Sequence, residues 1–201
     1  MSRRRSGERM RDAVERRTIT AVETTTSTGR APSATHEQDL SAAFRAAFRH
    51  HPGGIAIIAA SGERGPVGMT ASSVASVSVT PTTVLFSLMR SSRSAAGLLA
   101  ADALSVNLVD ARHERLAQTF AQNGSERFTP EEGWQYLPGG TPVLGDAAAS
   151  LIGHVTHTVE LGEAVVVVAE ITDVRRGEPG DALIYRNRAF HRLPVDGRTE
   201  E

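Results

Sequence analysis

The stretch GPVGMTASSVASVSVTP, residues 65–81, is the most informative segment of this chain. It reads like a β-strand in which Ser72, Ser73, Ser76 and Ser78 are interleaved with Val74, Val77 and Val79, and Pro81 ends the pattern. Serine hydroxyls occupy positions where an ordinary strand carries bulky side chains. A flat polar ligand could therefore lie against the main chain while the hydroxyls bond a polyol. Serine-rich strands also occur in ordinary sandwiches, which leaves a purely structural interpretation open.

Apolar segments on either side of this stretch indicate a sheet with few helices. The further segments predicted as strands are 55–60, 83–88, 104–109, 149–161, 163–174, 182–185 and 189–193. Helical periodicity is found over 35–51, 95–101 and 112–122. Many strands without a regular alternation of strand and helix favour a mainly β fold, a β-barrel with a few peripheral α-helices.

The amino-acid composition excludes several kinds of catalytic group and of binding partner. The chain has 201 residues, of which 40% are hydrophobic, enough for one core, and it lacks the roughly 18 consecutive apolar residues of a membrane span. A net charge of -1 gives no general attraction to nucleic acid or membrane. There is no cysteine, and all 22 basic residues are arginine, which excludes thiol nucleophiles, a P-loop lysine and Schiff bases.

Both ends of the chain are expected to be flexible. Residues 1–34 combine closely spaced arginines with the run TTTSTG at 24–29, a composition that cannot support a core. A nucleic-acid arm is the less favoured alternative, because acidic residues dilute the charge, and no apolar segment of a secretory signal follows the arginines. We therefore expect a disordered tail over 1–34, a folded domain over 35–195 and a flexible C-terminus over 196–201.

Common catalytic motifs are absent from the sequence. It contains no glycine-rich dinucleotide fingerprint, no G-x-S-x-G elbow and no H-E-x-x-H pair. His154 and His157 are three residues apart on a predicted strand and should point to opposite faces, so no metal site is predicted. No acid–base pair stands out, and we assign no catalytic residue. A cofactor would then have to supply the chemistry.

The segment Ser91-Ser92-Arg93-Ser94 precedes the predicted helix over 95–101. Hydroxyls, an arginine and free amides at a helix start are typical of a phosphate site, although the same residues could form a plain helix cap. A flat ring, a polyol and a phosphate together describe a flavin.

Several blocks of the sequence, in order, resemble the flavin reductase family with the FMN-binding split-barrel fold. The blocks are FRAAFRHHPGGIAIIAA (44–60), GPVGMTASSVASVSVTPTTVLFSL (65–88), SSRSAAGLLAADALSVNLVD (91–110), LAQTFAQ (116–122), ERF (126–128) with a tryptophan at 134, and ALIYRNRAFHRL (182–193). The resemblance covers roughly residues 40–193. It implies an NAD(P)H-dependent flavin reductase, generally a homodimer, that passes reduced FMN or FAD to a separate monooxygenase.

The resemblance also implies flavin contacts in this chain. Met69, Thr70, Ser72 and Ser73 match the segment along the ring edge and ribityl chain, and Ser87, Leu88 and Met89 match the strand end beneath the flavin. Arg93 and Ser94 match the phosphate-binding turn. Thr119 and Phe120 match a position that often closes the site, although Phe120 shares a helical stripe with Leu116 and could equally belong to the core.

One position departs from the family pattern. Members often carry Gly-Asp-His between the two long C-terminal strands, with the histidine near the nicotinamide, whereas this chain has Gly162, Glu163 and Ala164. Hydride transfer needs positioning rather than a protein acid, so the loss should weaken binding of NADH or NADPH without removing a required step.

Three functional hypotheses remain open from the sequence. The first is a flavin reductase serving a monooxygenase, and the second is a protein that holds or shuttles flavin without efficient turnover. The third is a split-barrel flavoenzyme acting on another substrate. For all three we expect a homodimer in the cytoplasm that uses FMN or FAD and binds neither nucleic acid nor membrane.

Overall fold

The computed structural model describes residues 17–20, 34–122 and 125–194. The predicted C-terminal segment over 196–201 lies outside these ranges, as does the predicted tail over 1–34 apart from 17–20 and residue 34. Residues 17–20 form a strand that the sequence analysis did not predict, with three consecutive β-branched residues that suit a strand. No helix in the described ranges is long and apolar enough to cross a membrane.

Strands dominate the domain, so the mainly β prediction is confirmed. The strands are β1 (Arg17–Thr20), β2 (Gly53–Gly54), β3 (Ala56–Gly62), β4 (Gly65–Ala71), β5 (Ala75–Val79), β6 (Thr82–Met89), β7 (Leu104–Leu108), β8 (Trp134–Tyr136), β9 (Pro142–Leu144), β10 (Ala149–Leu161), β11 (Ala164–Arg176), β12 (Ala182–Arg186) and β13 (Ala189–Leu193). The helices are α1 (Ala34–His50), α2 (Ala95–Ala100) and α3 (Glu114–Ala121), with 3-10 turns at Ala111–His113 and Pro130–Glu132.

The strands of the main sheet follow the order β4-β3-β7-β10-β11-β6-β5. Strand β1 lies off this path and pairs in parallel with residues 157–160 of β10. The path begins at β4 and ends at β5, although these strands are consecutive in the chain, and the described residues form no ladder between them. Residues 72–74 carry the chain from one end of this path to the other. The sequence pattern predicted one continuous strand here, but the crossing requires a break between β4 and β5.

Two apolar clusters pack on opposite faces of the sheet. β3 lies between β4 and β7 and is buried on both faces, so that Ile58 belongs to the first cluster and Ile57 to the second. The first cluster fills the inside of the sheet with side chains such as Phe86 and Val167, both 0% exposed. The second lies under α3 and the C-terminal hairpin β12–β13 and includes Phe120. These clusters fix the ends of β4 and β6, which carry the predicted site.

Helix α1 keeps the predicted apolar stripe but does not bury it within the chain. Leu40, Phe44 and Phe48 are each about 60% exposed. The Phe44 and Phe48 rings lie 4.6 Å apart, centroid to centroid. At its C-terminal end, the carbonyls of Arg49 and His50 accept hydrogen bonds from the β12–β13 hairpin. Within the described ranges, the stripe is therefore an apolar face without a packing partner.

Candidate functional site

The crossing segment 72–74 is attached to β6 by a serine. The Ser73 hydroxyl donates to the carbonyl of Ser87 (3.3 Å) and accepts from its amide (3.0 Å). Ser72 is exposed beside it. The structure therefore brings together Ser72, Ser73 and Ser87, three of the residues predicted to bind flavin.

A pocket of about 550 Å³ opens next to these serines, between α1 and the turn of the β12–β13 hairpin. We call it the serine pocket. Its lining residues are Arg45, Phe48, Arg49, His51, Gly53, Ser72, Ser73, Val74, Tyr185, Arg186, Asn187 and Arg188. Four arginines, two aromatic rings and two hydroxyls suit a ligand with a planar ring and negative charge.

A second pocket, of about 400 Å³, lies at the opposite end of β4. We call it the arginine pocket, because Arg64, Arg93 and Arg127 line it together with Gly68, Ser94 and neighbouring residues. The Ser94 hydroxyl donates to the Gly68 carbonyl at 2.5 Å and does not cap α2. Arg93 is exposed beside it. Gly68 to Ser72 spans about 13 Å of extended strand, so a ring in one pocket and a phosphate in the other can belong to one molecule.

Arg127 lies in the ERF block (126–128), and the sequence analysis assigned it no role. Its Nη1 donates to the Gly68 carbonyl at 2.7 Å, and its guanidinium lies 5.3 Å from the centre of the Phe120 ring. Burial and the positive charge of Arg93 lower the pKa of Arg127, against the opposing influence of Glu132. Only the tertiary structure brings this arginine next to Ser94.

The remaining predicted residues have other surroundings. Met69 packs on the first core cluster, and the Thr70 hydroxyl donates to the Ala117 carbonyl at 2.6 Å, which anchors α3 on β4. Leu88 is 2% exposed, in the core. These three side chains pack beneath the predicted site and support it.

The two helix residues do not face the serine pocket or the arginine pocket. Thr119 donates its hydroxyl to the Arg115 carbonyl at 3.1 Å and lines a third pocket. Phe120 is 2% exposed and packs edge-on against Phe128, with ring centroids 5.0 Å apart. This position favours the core interpretation that the sequence analysis left open for Phe120.

The turn that departs from the family pattern lies beside the predicted site. Ala164 pairs with Met89 in the β6–β11 ladder, and the Arg90 amide donates to the Glu163 carbonyl at 2.9 Å. Met89 is 45% exposed at the strand end. A side chain added at Ala164 would thus extend from the strand next to the one that carries Ser87.

A buried polar cluster around Asp110, which the sequence analysis did not single out, lies at the end of β7, where Leu108 pairs with Ala149 of β10. The Asp110 carboxylate accepts from Arg112 (Nη2 at 2.6 Å) and from the Gly180 amide (3.0 Å). Nδ1 of His113 lies 3.1 Å from the same carboxylate, and its Nε2 lies 3.1 Å from Asp146. The cluster ties the end of β7 to the segment leading into the C-terminal hairpin. No group of three or more His, Asp or Glu among the described residues could hold a metal ion.

The Asp110 cluster predicts an acid-dependent loss of stability. Burial raises the pKa of Asp110, but hydrogen bonds from Arg112 and the nearby His113 charge outweigh it and hold the pKa at about 2. A lowered pKa stabilises the fold at pH values above the ordinary 3.8, and this contribution is lost as the pH falls towards 2. Asp110→Asn should therefore be less stable than the native protein by about 2 kcal/mol at neutral pH. Urea unfolding across pH should show this difference shrinking between about pH 4 and 2; a constant difference would contradict the prediction.

Comparison with known proteins agrees with the geometry. Residues 48–194 match the model of the flavin reductase like domain. The chain is 33% identical over 153 residues to an NADH:FMN oxidoreductase of Rhodococcus erythropolis, covering 74% of this chain and 80% of the relative. It is 34% identical over 159 residues to the 4-hydroxyphenylacetate 3-monooxygenase reductase component of Pseudomonas aeruginosa, covering 78% and 94%. The crystal structure of a flavin reductase domain protein from Arthrobacter sp. FB24 superposes with a TM-score of 0.71 at 31% identity, over 79% of this chain and 99% of that one.

Proposed function

This chain belongs to the flavin reductase family, and on that premise we propose that it is an NAD(P)H-dependent flavin reductase that supplies reduced FMN or FAD to a separate monooxygenase. One observation of the structure carries the proposal. Strand β4 joins a pocket suited to a planar ring to a pocket whose arginines have no carboxylate partner among the described residues, at a separation that one flavin can span. The named relatives, an oxidoreductase and a monooxygenase reductase component, support the same conclusion.

The residues fit a flavin in a definite orientation. Ser72 and Ser73 would bond the ring edge and ribityl chain, while Arg93 would hold the phosphate at the turn that Ser94 fixes through its hydrogen bond to Gly68. The buried Arg127 Nε has no hydrogen-bond partner in the described residues, which is an observation in favour of an anionic group there. A bound flavin supplies the hydride acceptor, and the protein's task is to hold nicotinamide and flavin together and keep them oriented.

Steady-state turnover tests the proposal against its two alternatives. Purified protein should oxidise NADH or NADPH only when free FMN or FAD is added, followed by nicotinamide absorbance. Tight flavin binding without turnover would favour a flavin-holding protein instead. Flavin retained through many turnovers with another acceptor would favour a split-barrel flavoenzyme acting on another substrate.

Arg93→Ala tests the phosphate site. Loss of one charge-assisted hydrogen bond should weaken FMN binding by about 1.5–3 kcal/mol, or roughly tenfold to a hundredfold. Riboflavin lacks the phosphate, so its affinity should hardly change. Flavin fluorescence titration measures both constants, with Arg115→Ala, an exposed arginine outside both pockets, as the control. Equal losses for FMN and riboflavin would show that Arg93 is structural.

Ala164→His tests the departure from the family pattern. A histidine beside Met89 adds one positioned hydrogen bond for the nicotinamide, worth about 0.5–1.5 kcal/mol, so kcat/KM for NADH or NADPH should rise about twofold to tenfold. Flavin affinity should stay the same, because the added group serves the second substrate. Ala100→His, on the exposed end of α2, is the control. A changed flavin affinity with unchanged nicotinamide kinetics would contradict the placement of Ala164.

The exposed face of α1 supports a homodimer. Leu40, Phe44 and Phe48 form a stripe that a soluble reductase would cover, and α1 also lines the serine pocket. A second copy packed on α1 would therefore narrow that pocket. Analytical ultracentrifugation should give a dimer that Phe44→Glu dissociates, and a native monomer would overturn this part of the proposal. We place the dimer in the cytoplasm, where nicotinamide nucleotides are available.

A further inference from the structure

The arginine pocket holds more positive charge than one phosphate-binding turn explains. Arg64, Arg93 and Arg127 all line it, and none of the three forms an ion pair with a carboxylate of the described residues within 4.0 Å. Among the other arginines of the described residues, Arg90, Arg112, Arg175 and Arg192 are each paired with a carboxylate, whereas the four arginines that line the serine pocket are not. The pocket is therefore a local concentration of uncompensated cations.

Arg127 is the most constrained of the three. Its guanidinium donates to the carbonyls of Gly68 and Gln122 and lies 3.4 Å from the Ser94 hydroxyl, but its buried Nε has no partner in the described residues. Burial of this Nε and the positive charge of Arg93 both disfavour the charge on Arg127, and Glu132 offsets them only in part, because the pKa of Arg127 remains lowered. An anion in the pocket would relieve both costs.

The three arginines come from three separate parts of the chain. Arg93 and Arg127 meet at Ser94, which is the position predicted for one flavin phosphate. Arg64 is exposed on the tight turn between β3 and β4, where the pocket continues past Gly65 and Pro66. A single phosphate held by Arg93 and Ser94 leaves the Arg64 end of the pocket without an anion.

We propose that the arginine pocket binds the diphosphate group of FAD, so that this protein prefers FAD to FMN. Arg93 and Arg127 hold the phosphate next to the ribityl chain, and Arg64 meets the second phosphate. The proposal rests on the proposed flavin reductase function and names its flavin substrate. Charge-assisted contacts with a phosphate oxygen are among the stronger hydrogen bonds available to a protein, which gives Arg64 a measurable share of the selectivity.

Titration of the flavin-free protein with riboflavin, FMN and FAD, each followed by flavin fluorescence, tests this proposal. We expect FAD to bind about tenfold more tightly than FMN, the scale of one additional charge-assisted contact. Arg64→Met should weaken FAD binding about fivefold to tenfold and leave FMN and riboflavin within about twofold, because only FAD carries the second phosphate. This variant lies on an exposed turn, so its folding is not in question.

Arg127→Met is the second variant, and Arg115→Met is the matched control. Loss of Arg127 should weaken FMN and FAD alike, by at least about tenfold, and spare riboflavin. Since Arg127 also contacts Phe120, thermal unfolding must confirm that the variant is folded, and the Arg64→Met result decides the matter if it is not.

Two results overturn the proposal, and they differ in what else they overturn. FMN binding as tightly as FAD, or an Arg64→Met change that is equal for FMN and FAD, removes the diphosphate site and leaves the reductase function standing. Failure of all three flavins to bind removes the diphosphate site and the proposed function together.

Discussion

Asn107→Leu is expected to lower the free energy of unfolding by about 3–5 kcal/mol. Asn107 lies on β7 and is 0% exposed. Its amide nitrogen donates to the Ile57 carbonyl and to the Ser105 hydroxyl, both at 2.9 Å. Its amide oxygen accepts from the Leu144 amide (3.0 Å) and the Ser150 hydroxyl (2.8 Å). All four hydrogen-bonding positions of one side chain are thus satisfied inside the sheet.

The large effect is expected because leucine would leave the four groups that bond the Asn107 side chain without that hydrogen bond. Each buried polar group that loses its partner costs about 1–3 kcal/mol, and the network has no access to water at this depth. Urea unfolding monitored by the fluorescence of Trp134 measures the loss. Gln118→Leu replaces an exposed amide in the same way and should change stability by less than about 0.5 kcal/mol. A loss below about 1 kcal/mol for Asn107→Leu would mean that the network relaxes around an apolar side chain.

Gly153→Ala is expected to lower the free energy of unfolding by about 3 kcal/mol. A Cβ at this position would lie 2.0 Å from the carbonyl oxygen of Glu170, which is backbone and cannot rotate away. Gly153 sits at a register shift in β10, paired with Leu104 of β7 on one side and Ile171 of β11 on the other. The methyl group would therefore have to separate β10 from β11, whose ladder is the longest in the domain.

Gly54→Ala is the matched control, because a Cβ there meets nothing within 4 Å. It should leave stability within about 0.5 kcal/mol, and both variants are measured by the same urea titration. Equal effects of the two alanines would show that the bulge in β10 widens without penalty. Flavin binding should fall with Gly153→Ala only as far as the folded fraction falls, since Gly153 lines neither the serine pocket nor the arginine pocket.

Strands with a clear local pattern were predictable from the sequence. The ranges 149–161 and 163–174 correspond to β10 and β11, and 83–88 corresponds to β6, with ends that differ by at most two residues. The alternation of buried and partly buried residues along β11 follows the two-residue period of a strand, which depends only on backbone geometry. Arg93 and Ser94 could be proposed for the same reason, because they are neighbours in the sequence.

Residues that act together only after folding could not be recognised in this way. Arg127 is 33 residues from Ser94 and meets it through the docking of residues 125–128 against β4. The Thr70 hydroxyl donates to α3, 47 residues away, although the family resemblance implied a flavin contact for Thr70. Contacts between residues so far apart in the sequence depend on how whole elements pack, and local periodicity does not predict that packing.

The serine-rich segment 65–81 illustrates both sides of this division. Valines interleaved with small residues predicted extended backbone with little bulk, and β4 and β5 are the two strands that the segment forms. The break at 72–74 was decided by the sheet, since the chain must cross there from β4 to β5. The use of each hydroxyl was decided there as well: Ser73 bonds β6 and Ser72 faces a pocket, according to which neighbour the completed sheet brings within hydrogen-bonding distance.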